Sequence, residues 1–393
     1  MELAAILLLG APRESAADSS ESVLGAPVAA VDVLGKPVAC RVAERLRQQG
    51  VSRVVIVADA AAGPAGNLRQ YAANGTQFVA AECSAFWREC ERVFEDLTDS
   101  GAELVLVWRL GAYAELDIEA LQQSHLDQAA RITQVCDPEG EPLDIFLLCG
   151  SRRNDAAYLF RHRLRGSRMP NCSYTFHGYV NRLRGAHDLR RLTVDALLFR
   201  IALRPVGREV RPGIWIGTGA RIQRDARLVA PCYVGPFARV RAAAVITRAS
   251  SIEHHAEVDC GTIVEAATVL PFTYAGAGLD VCYSVVGFRK LASLRHSLEL
   301  EVPDAKLIGS LSEHAPVRAL SSLGSLFAFL PMQLVRGVFG ERKITADADL
   351  GNLSSPSAAL LAQRGRGGAL AAPATAHSEF PSSLAIVRRY GNE

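Results

Sequence analysis

Branched aliphatic residues recur at every sixth position through one long stretch of the chain: Val210, Ile216, Ile222, Leu228, Val234, Val240, Ile246, Ile252, Val258, Val264 and Leu270. A second, mostly small series runs four positions behind them: Ala220, Ala226, Cys232, Ala238, Ala244, Ser250, Ala256, Thr262 and Thr268. A period of six belongs neither to a helix nor to simple strand alternation. It predicts one short strand per hexapeptide and then a turn, three strands closing a triangular coil with the aliphatic side chain inside. The small residues mark corners where the chain turns tightly. Burying each aliphatic contributes about 1.5 to 3 kcal/mol while ordering each backbone residue costs about 1 to 2 kcal/mol, so stacked ladders and end covers must supply the rest.

Ahead of this repeat the pattern changes. Continuous apolar runs at 3–9, 53–58, 104–108 and 145–149 predict buried parallel strands, and amphipathic stretches at 38–48 and 86–97 predict helices between them. A further helix begins near Asp117 and continues through 124–130, and Gly101, Gly111 and Gly150 stand at turn positions. Alternating strand and helix predicts a three-layer α/β domain over 1–200. No G-x-x-x-x-G-K-[ST] and no strand-following G-x-G-x-x-G occurs, so neither a P-loop nor a dinucleotide-binding reading has sequence support.

Length and composition add limits. The 393 residues exceed the usual single domain, and with 49% hydrophobic and 21% charged residues the chain can bury substantial cores. No run of apolar residues is long enough to span a bilayer. The opening apolar stretch carries Glu2 where a leader would have a basic region, so it reads as a first strand. Nine cysteines without a C-x-x-C pair predict reduced thiols, a cytoplasmic protein and no metal site. The net charge of +2 hides an imbalance: residues 1–150 hold 11 Lys+Arg against 22 Asp+Glu, whereas 151–211 hold 14 Arg against 4 acids. The Arg-rich block, with Arg152, Arg153, Arg161, Arg163, Arg165, Arg168, Arg182, Arg184, Arg190 and Arg191, is expected to pair with acids of the protein itself rather than with nucleic acid.

The period-six stretch resembles the left-handed parallel β-helix of hexapeptide-repeat proteins closely over 210–270, with looser echoes at Val285, Val286 and Gly287 and between Val302 and Gly309, which together predict a β-helix over 205–310. Handedness comes from that resemblance alone, since general crossover rules favour the right-handed form. In the first half, Ala4 to Gly10, then Pro27 to Val38 with its Gly35-Lys36-Pro37, resembles the start of sugar-1-phosphate nucleotidyltransferases, which often carry a β-helix tail. Val105 to Trp108, Leu116 to Leu121 and His125 are similar to that family's central strand and following helix, with mannose-1-phosphate guanylyltransferase-like proteins the nearest subgroup. The resemblance implies a nucleotide-sugar or sugar phosphate as ligand, polysaccharide synthesis as context and Mg²⁺ for any transfer that persists.

Nucleotidyl transfer brings two anionic phosphates together and depends on cations that neutralise them. The Gly-rich stretch of the resembled family is reduced here to Gly10 and Arg13, the two residues left as candidate phosphate contacts. The family's next lysine falls near Ala26, and the chain has four lysines in all, of which Lys36 matches a structural Lys-Pro. The metal-binding aspartate falls around Leu110 or Gly111, and no acid lies between Leu104 and Tyr113. The expectation is a nucleotidyltransferase fold with pyrophosphorylase activity lost or weak, acting by binding, regulation or assembly.

Two other classes remain open. His254 and His255 lie within the repeat, where hexapeptide acyltransferases use a histidine as base, although their place two and three residues after the inward Ile252 also fits solvated surface residues. A non-catalytic solenoid scaffold forming homo- or hetero-oligomers is the other. An apolar stretch at 323–339, broken by Pro331, is expected to cap the solenoid within a segment at 311–340, a membrane-surface role being less favoured, and the Ala-, Ser-, Gly- and Pro-rich 341–393 to be disordered.

Overall fold

The computed structural model describes residues 2–11, 21–60, 75–164, 172–311 and the backbone of 342–343. The expected cap at 323–339 and the tail lie outside these residues, except that the backbone of Arg342–Lys343, expected to be disordered, instead pairs antiparallel with Arg221–Ile222.

The apolar runs form the centre of a seven-stranded sheet. Its strands are β1 (Leu3–Leu9), β2 (Arg53–Asp59), β3 (Thr76–Ala81), β4 (Leu104–Arg109), β5 (Ile132–Cys136), β6 (Pro142–Cys149) and β7 (Cys172–Thr175). Their spatial order is β7-β5-β6-β4-β1-β2-β3. The continuous hydrophobicity follows from burial on both faces: Leu3, Ala5, Leu7 and Leu9 enter one core and Ala4, Ile6 and Leu8 the other. Helices α1 (Val38–Gln48), α3 (Ile118–Asp127) and α5 (Ala186–Leu197) cover the first face, and α2 (Phe86–Asp99) and α4 (Arg153–Arg161) the second. Asp117 caps α3, accepting from the Ala120 N–H at 3.1 Å.

One strand departs from expectation. The run at 145–149 belongs to β6, which pairs antiparallel with both β4 and β5. An antiparallel strand sandwiched between helix layers is as apolar on both sides as its parallel neighbours, so hydrophobicity alone does not reveal its direction.

The period-six residues build three parallel sheets whose strands succeed one another around a coil. Ile214–Ile216, Cys232–Val234, Ser250–Ile252, Thr268–Val269 and Ser284–Gly287 stack on one side. The other two sides begin at Arg221–Ile222 and Arg227–Leu228. Ile216, Ile222, Val234, Val240, Ile246, Ile252, Val258 and Val264 are all buried in the coil's own core, while Val210 and Leu228 near its start are partly buried. Leu270 does not continue the row. Early coils pair residues eighteen apart, such as Val234 with Ile252, but Ile252 pairs with Val269, seventeen apart. The one-residue slip puts Val269 in the coil core and sends Leu270 and Val285 into the core of the α/β part. The far end is covered by antiparallel pairing: Lys290–Ser293 and Leu298–Glu301 extend one sheet and Ile308–Ser310 another.

Val258→Ala removes two methyl groups from a site with no solvent exposure. It is expected to cost about 2 kcal/mol in chemical denaturation, with Leu228→Ala costing less because Leu228 is only partly buried. Equal costs would contradict the single inner row.

The coil packs on the α1/α3/α5 face, where Tyr233, Ala249, Leu270, Val285 and Ala292 join the α/β core. Among the described residues no helix is long and apolar enough to cross a membrane.

Candidate functional site

β1 lies between β4 and β2. From β1 the chain passes through α1 to β2 and β3 on one side, then through α2 on the opposite face to β4 on the other. Open α/β sheets receive ligands in the crevice outside the carboxyl ends of the strands at such a switch point. Gly10 follows β1 there with φ 67°, in the left-handed region that favours glycine. Arg13 lies outside the described residues.

β4 ends in Arg109, in register with Leu8 of β1. Its side chain is 8% exposed and its guanidinium donates to Glu21 Oε2 at 2.6 Å and to Asp144 Oδ2 at 2.8 Å. At Leu110 and Gly111, where the resemblance would place a metal-binding acid, the Leu110 N–H donates to the Leu8 carbonyl and keeps it on β1, and the Gly111 N–H donates to that of Arg109 in a tight turn. The terminus of the central strand thus presents a cation already shared between two carboxylates. Among the described residues no group of three or more His, Cys, Asp or Glu is placed to hold a metal ion. The Mg²⁺ that nucleotidyl transfer would require does not fit this donor set.

A second polar cluster sits where the coil meets the α/β part. The hairpin of Asp32–Val33 and Lys36–Pro37 turns through Leu34 and Gly35, both at positive φ, 52° and 92°. A side chain on Gly35 would meet Tyr233 and come 2.9 Å from Val206 Cβ, so this glycine serves a close approach. Glu253 of the coil, fully buried, accepts from the Leu34 N–H at 3.1 Å and the Gly35 N–H at 2.8 Å. Arg41 of α1 donates to the Val33 and Leu34 carbonyls at 3.0 and 2.7 Å. Burial pushes the Glu253 carboxyl up to about 7, reinforced by Asp32 and opposed by the two N–H donors and His254.

His254 follows and is buried, with Nε2 3.2 Å from Asp32 Oδ2 and Nδ1 3.1 Å from His255 Nδ1. His255 is exposed, but its ring stacks between Phe237 and Phe272, with centroids 5.0 and 4.9 Å away. The two histidines therefore occupy different environments: the second fits the solvated position expected of both, and the first does not, because the α/β part covers that corner of the coil.

The Arg-rich block pairs largely within the protein. Arg153 meets Asp99, Arg161 meets Glu91 at 2.9 Å, Arg182 meets Asp137, and Arg191 approaches Asp195 at 3.8 Å. Arg190 reaches from α5 to the coil, donating to the Ala266 and Arg248 carbonyls at 3.1 Å each. Arg165 and Arg168 lie outside the described residues. Lys36 pairs with Glu44 of α1 and so steadies its loop. Burial pushes the Cys40 and Cys232 thiols up to about 12, which leaves both protonated at neutral pH and poor nucleophiles.

Sequence reading did not find Arg109, Glu21, Asp144, Asp32 or Glu253. Two signals were present: a lone charge closing an otherwise apolar strand, and an acid directly after an inward aliphatic of the repeat.

No protein-family model matches the chain, and no curated protein matches it. Among solved structures it is similar to HddC from Yersinia pseudotuberculosis, at 16% identity over 49% of this chain and 97% of that one, with a TM-score of 0.36.

Proposed function

We propose that this chain is a nucleotidyltransferase-like protein of sugar-nucleotide metabolism that lacks effective pyrophosphorylase activity and acts by binding a nucleotide-sugar or sugar phosphate, in regulation or assembly. The reading takes the coil to be a left-handed β-helix and the compartment to be the cytoplasm, with homo- or hetero-oligomers as its working form. The observation that carries it is Arg109. Where the transfer of a nucleotidyl group calls for acids that hold a metal beside two phosphates, the central strand ends in a guanidinium whose charge is taken up by Glu21 and Asp144. Lys36, engaged by Glu44, does not replace it.

In a pyrophosphorolysis assay with nucleotide-sugars and Mg²⁺, turnover is expected below about 1 s⁻¹, the lower edge of ordinary enzymes. Turnover above that overturns the reading. Thermal-shift screening against nucleotide-sugars, nucleoside triphosphates and acyl-CoAs should raise the melting temperature with the first class, because selective binding stabilises the folded state. No shift with any of them would favour the oligomeric scaffold.

Acyl transfer is a second reading, favoured by the Asp32–His254–His255 chain, which links a buried carboxylate to an exposed imidazole as a general base requires. His255→Ala leaves the buried pair in place. Acetyl-CoA turnover abolished by that change would support acyl transfer, and no turnover in the unaltered protein would remove it.

A further inference from the structure

We infer that the first turn of the coil is a docking surface for the chain's own apolar stretch at 323–339, which seats over Ile216, Ile222 and Leu228. The two ends of the coil differ. At the far end Val281, Val286 and Ile308 have no solvent exposure, closed under the antiparallel strands Lys290–Ser293 and Ile308–Ser310. At the first turn the inward row is at its most open: Ile216 and Ile222 each keep 5% exposure, Leu228 is only partly buried, and Val229 beside it is 43% exposed. Arg227–Leu228 is the outermost strand of its sheet, with no strand on its outer side among the described residues. A solenoid repeat buries its apolar side only against a neighbour, so an open end calls for a cover.

Where the chain leaves and returns names the occupant. Ile308–Ser310 and Arg342–Lys343 are the two outermost strands of one six-stranded sheet, the first at the last turn of the coil and the second at the first turn. They stand about 24 Å apart at the usual strand spacing, a span that the intervening residues can cover several times over. Leu311 leaves beside Phe272, whose carbonyl accepts from its N–H at 2.6 Å, at the corner where the strands of that sheet begin. Arg342 lies opposite Ile222 and Lys343 opposite Arg221, so the chain returns from the corner where those strands end. It has to pass from one corner to the other. The outer face of the sheet offers Arg239, Arg241 and Glu257, already paired with one another. The open end offers Ile216, Ile222 and Leu228. Leu326, Phe327, Leu330, Leu334 and Phe339 match the apolar route, because their burial against charged groups would gain little. The corner leading there carries Phe237, 54% exposed, whose ring lies against Gly219 of the first turn, 2.7 Å from where a Cβ would stand. A seat on the rim shields Leu228 from water without enclosing it as Val258 is enclosed.

The test compares the full-length protein with its Phe327→Ser, Leu330→Ser double variant by hydrogen–deuterium exchange. Amides of 214–229 are expected to exchange about tenfold faster in the variant, with those of 284–310 unchanged, because only the first turn loses its cover. Should the double variant not fold, Phe327→Ser alone is read in the same way. Unchanged exchange at 214–229 overturns the inference, and faster exchange confined to 284–310 overturns it by placing the stretch at the far end. Protection of 214–229 that falls when the unaltered protein is diluted also overturns it, since the cover would then be a second copy of the chain.

Discussion

Glu253→Ala is expected to lower the free energy of unfolding by about 3 kcal/mol. The carboxyl group is wholly enclosed and accepts from the N–H groups of Leu34 and Gly35. Leaving a buried donor without an acceptor costs about 1 to 3 kcal/mol, and two are exposed to that loss, offset in part because a carboxyl group need no longer be buried. Glu253→Gln should cost about 2 kcal/mol, since its amide offers one oxygen and turns an NH₂ towards the other donor. Urea denaturation measures both.

The same residue sets a pH dependence. Its folded pKa of about 7 lies above the ordinary 4.5, so the native state holds the proton more tightly than the unfolded chain. The stability this supplies is full below about 4.5 and is lost as pH rises through about 7, on the order of 3 kcal/mol at about 1.4 kcal/mol per pKa unit. The gap between the parent and Glu253→Gln should therefore be wider at pH 5 than at pH 7.5. An equal gap at both values would show that Glu253 is ionised throughout. Asp32, His254 and Arg41 act on this carboxyl from the neighbouring hairpin, the coil and α1, and they remain in both proteins.

Arg109→Ala, measured by denaturation, should also lose about 3 kcal/mol. Removing one partner of a buried ion pair costs about 3 to 5 kcal/mol because a charge is left uncompensated, and the low end applies here because Glu21 and Asp144 are partly exposed. Arg153→Ala provides the comparison. Its pair with Asp99 lies in solvent, with side chains 50% and 63% exposed, and pairs of that kind contribute about 1 kcal/mol or less. A similar small loss for both variants would mean that the crevice is wet enough to screen Arg109.

The elements themselves were largely legible. Period-six spacing required three faces per coil, and the small second series lies where the expected corners are: Ala220, Ala238, Ala244, Ala256 and Thr262 are fully buried. Strands buried on both faces announced themselves as unbroken apolar runs, whereas β3, whose residues are mostly half-exposed, did not. Strand direction was lost in β6 because direction leaves no mark on hydrophobicity. The shift from Val264 to Val269 was lost because Leu270 is as apolar as its neighbour, and only the α/β core it enters distinguishes the two. Of the site, Gly10 was visible as a turn and the lack of acids between Leu104 and Tyr113 as a gap. The pairing of Arg109 with Glu21 and Asp144 was not visible.

The sequence by itself determined the two kinds of structure, a wound α/β sheet and a three-sided coil, because each follows from the period at which single side chains must be buried. It also determined that no acid stands after the central strand. Tertiary structure alone decided that Arg109 meets Glu21 and Asp144, 88 and 35 residues away, and that Glu253 holds a turn 218 and 219 residues earlier. Local periodicity carries no information about contacts at that separation: a buried charge and its partner are matched by the packing of whole elements, and nothing in the spacing of either one names the other.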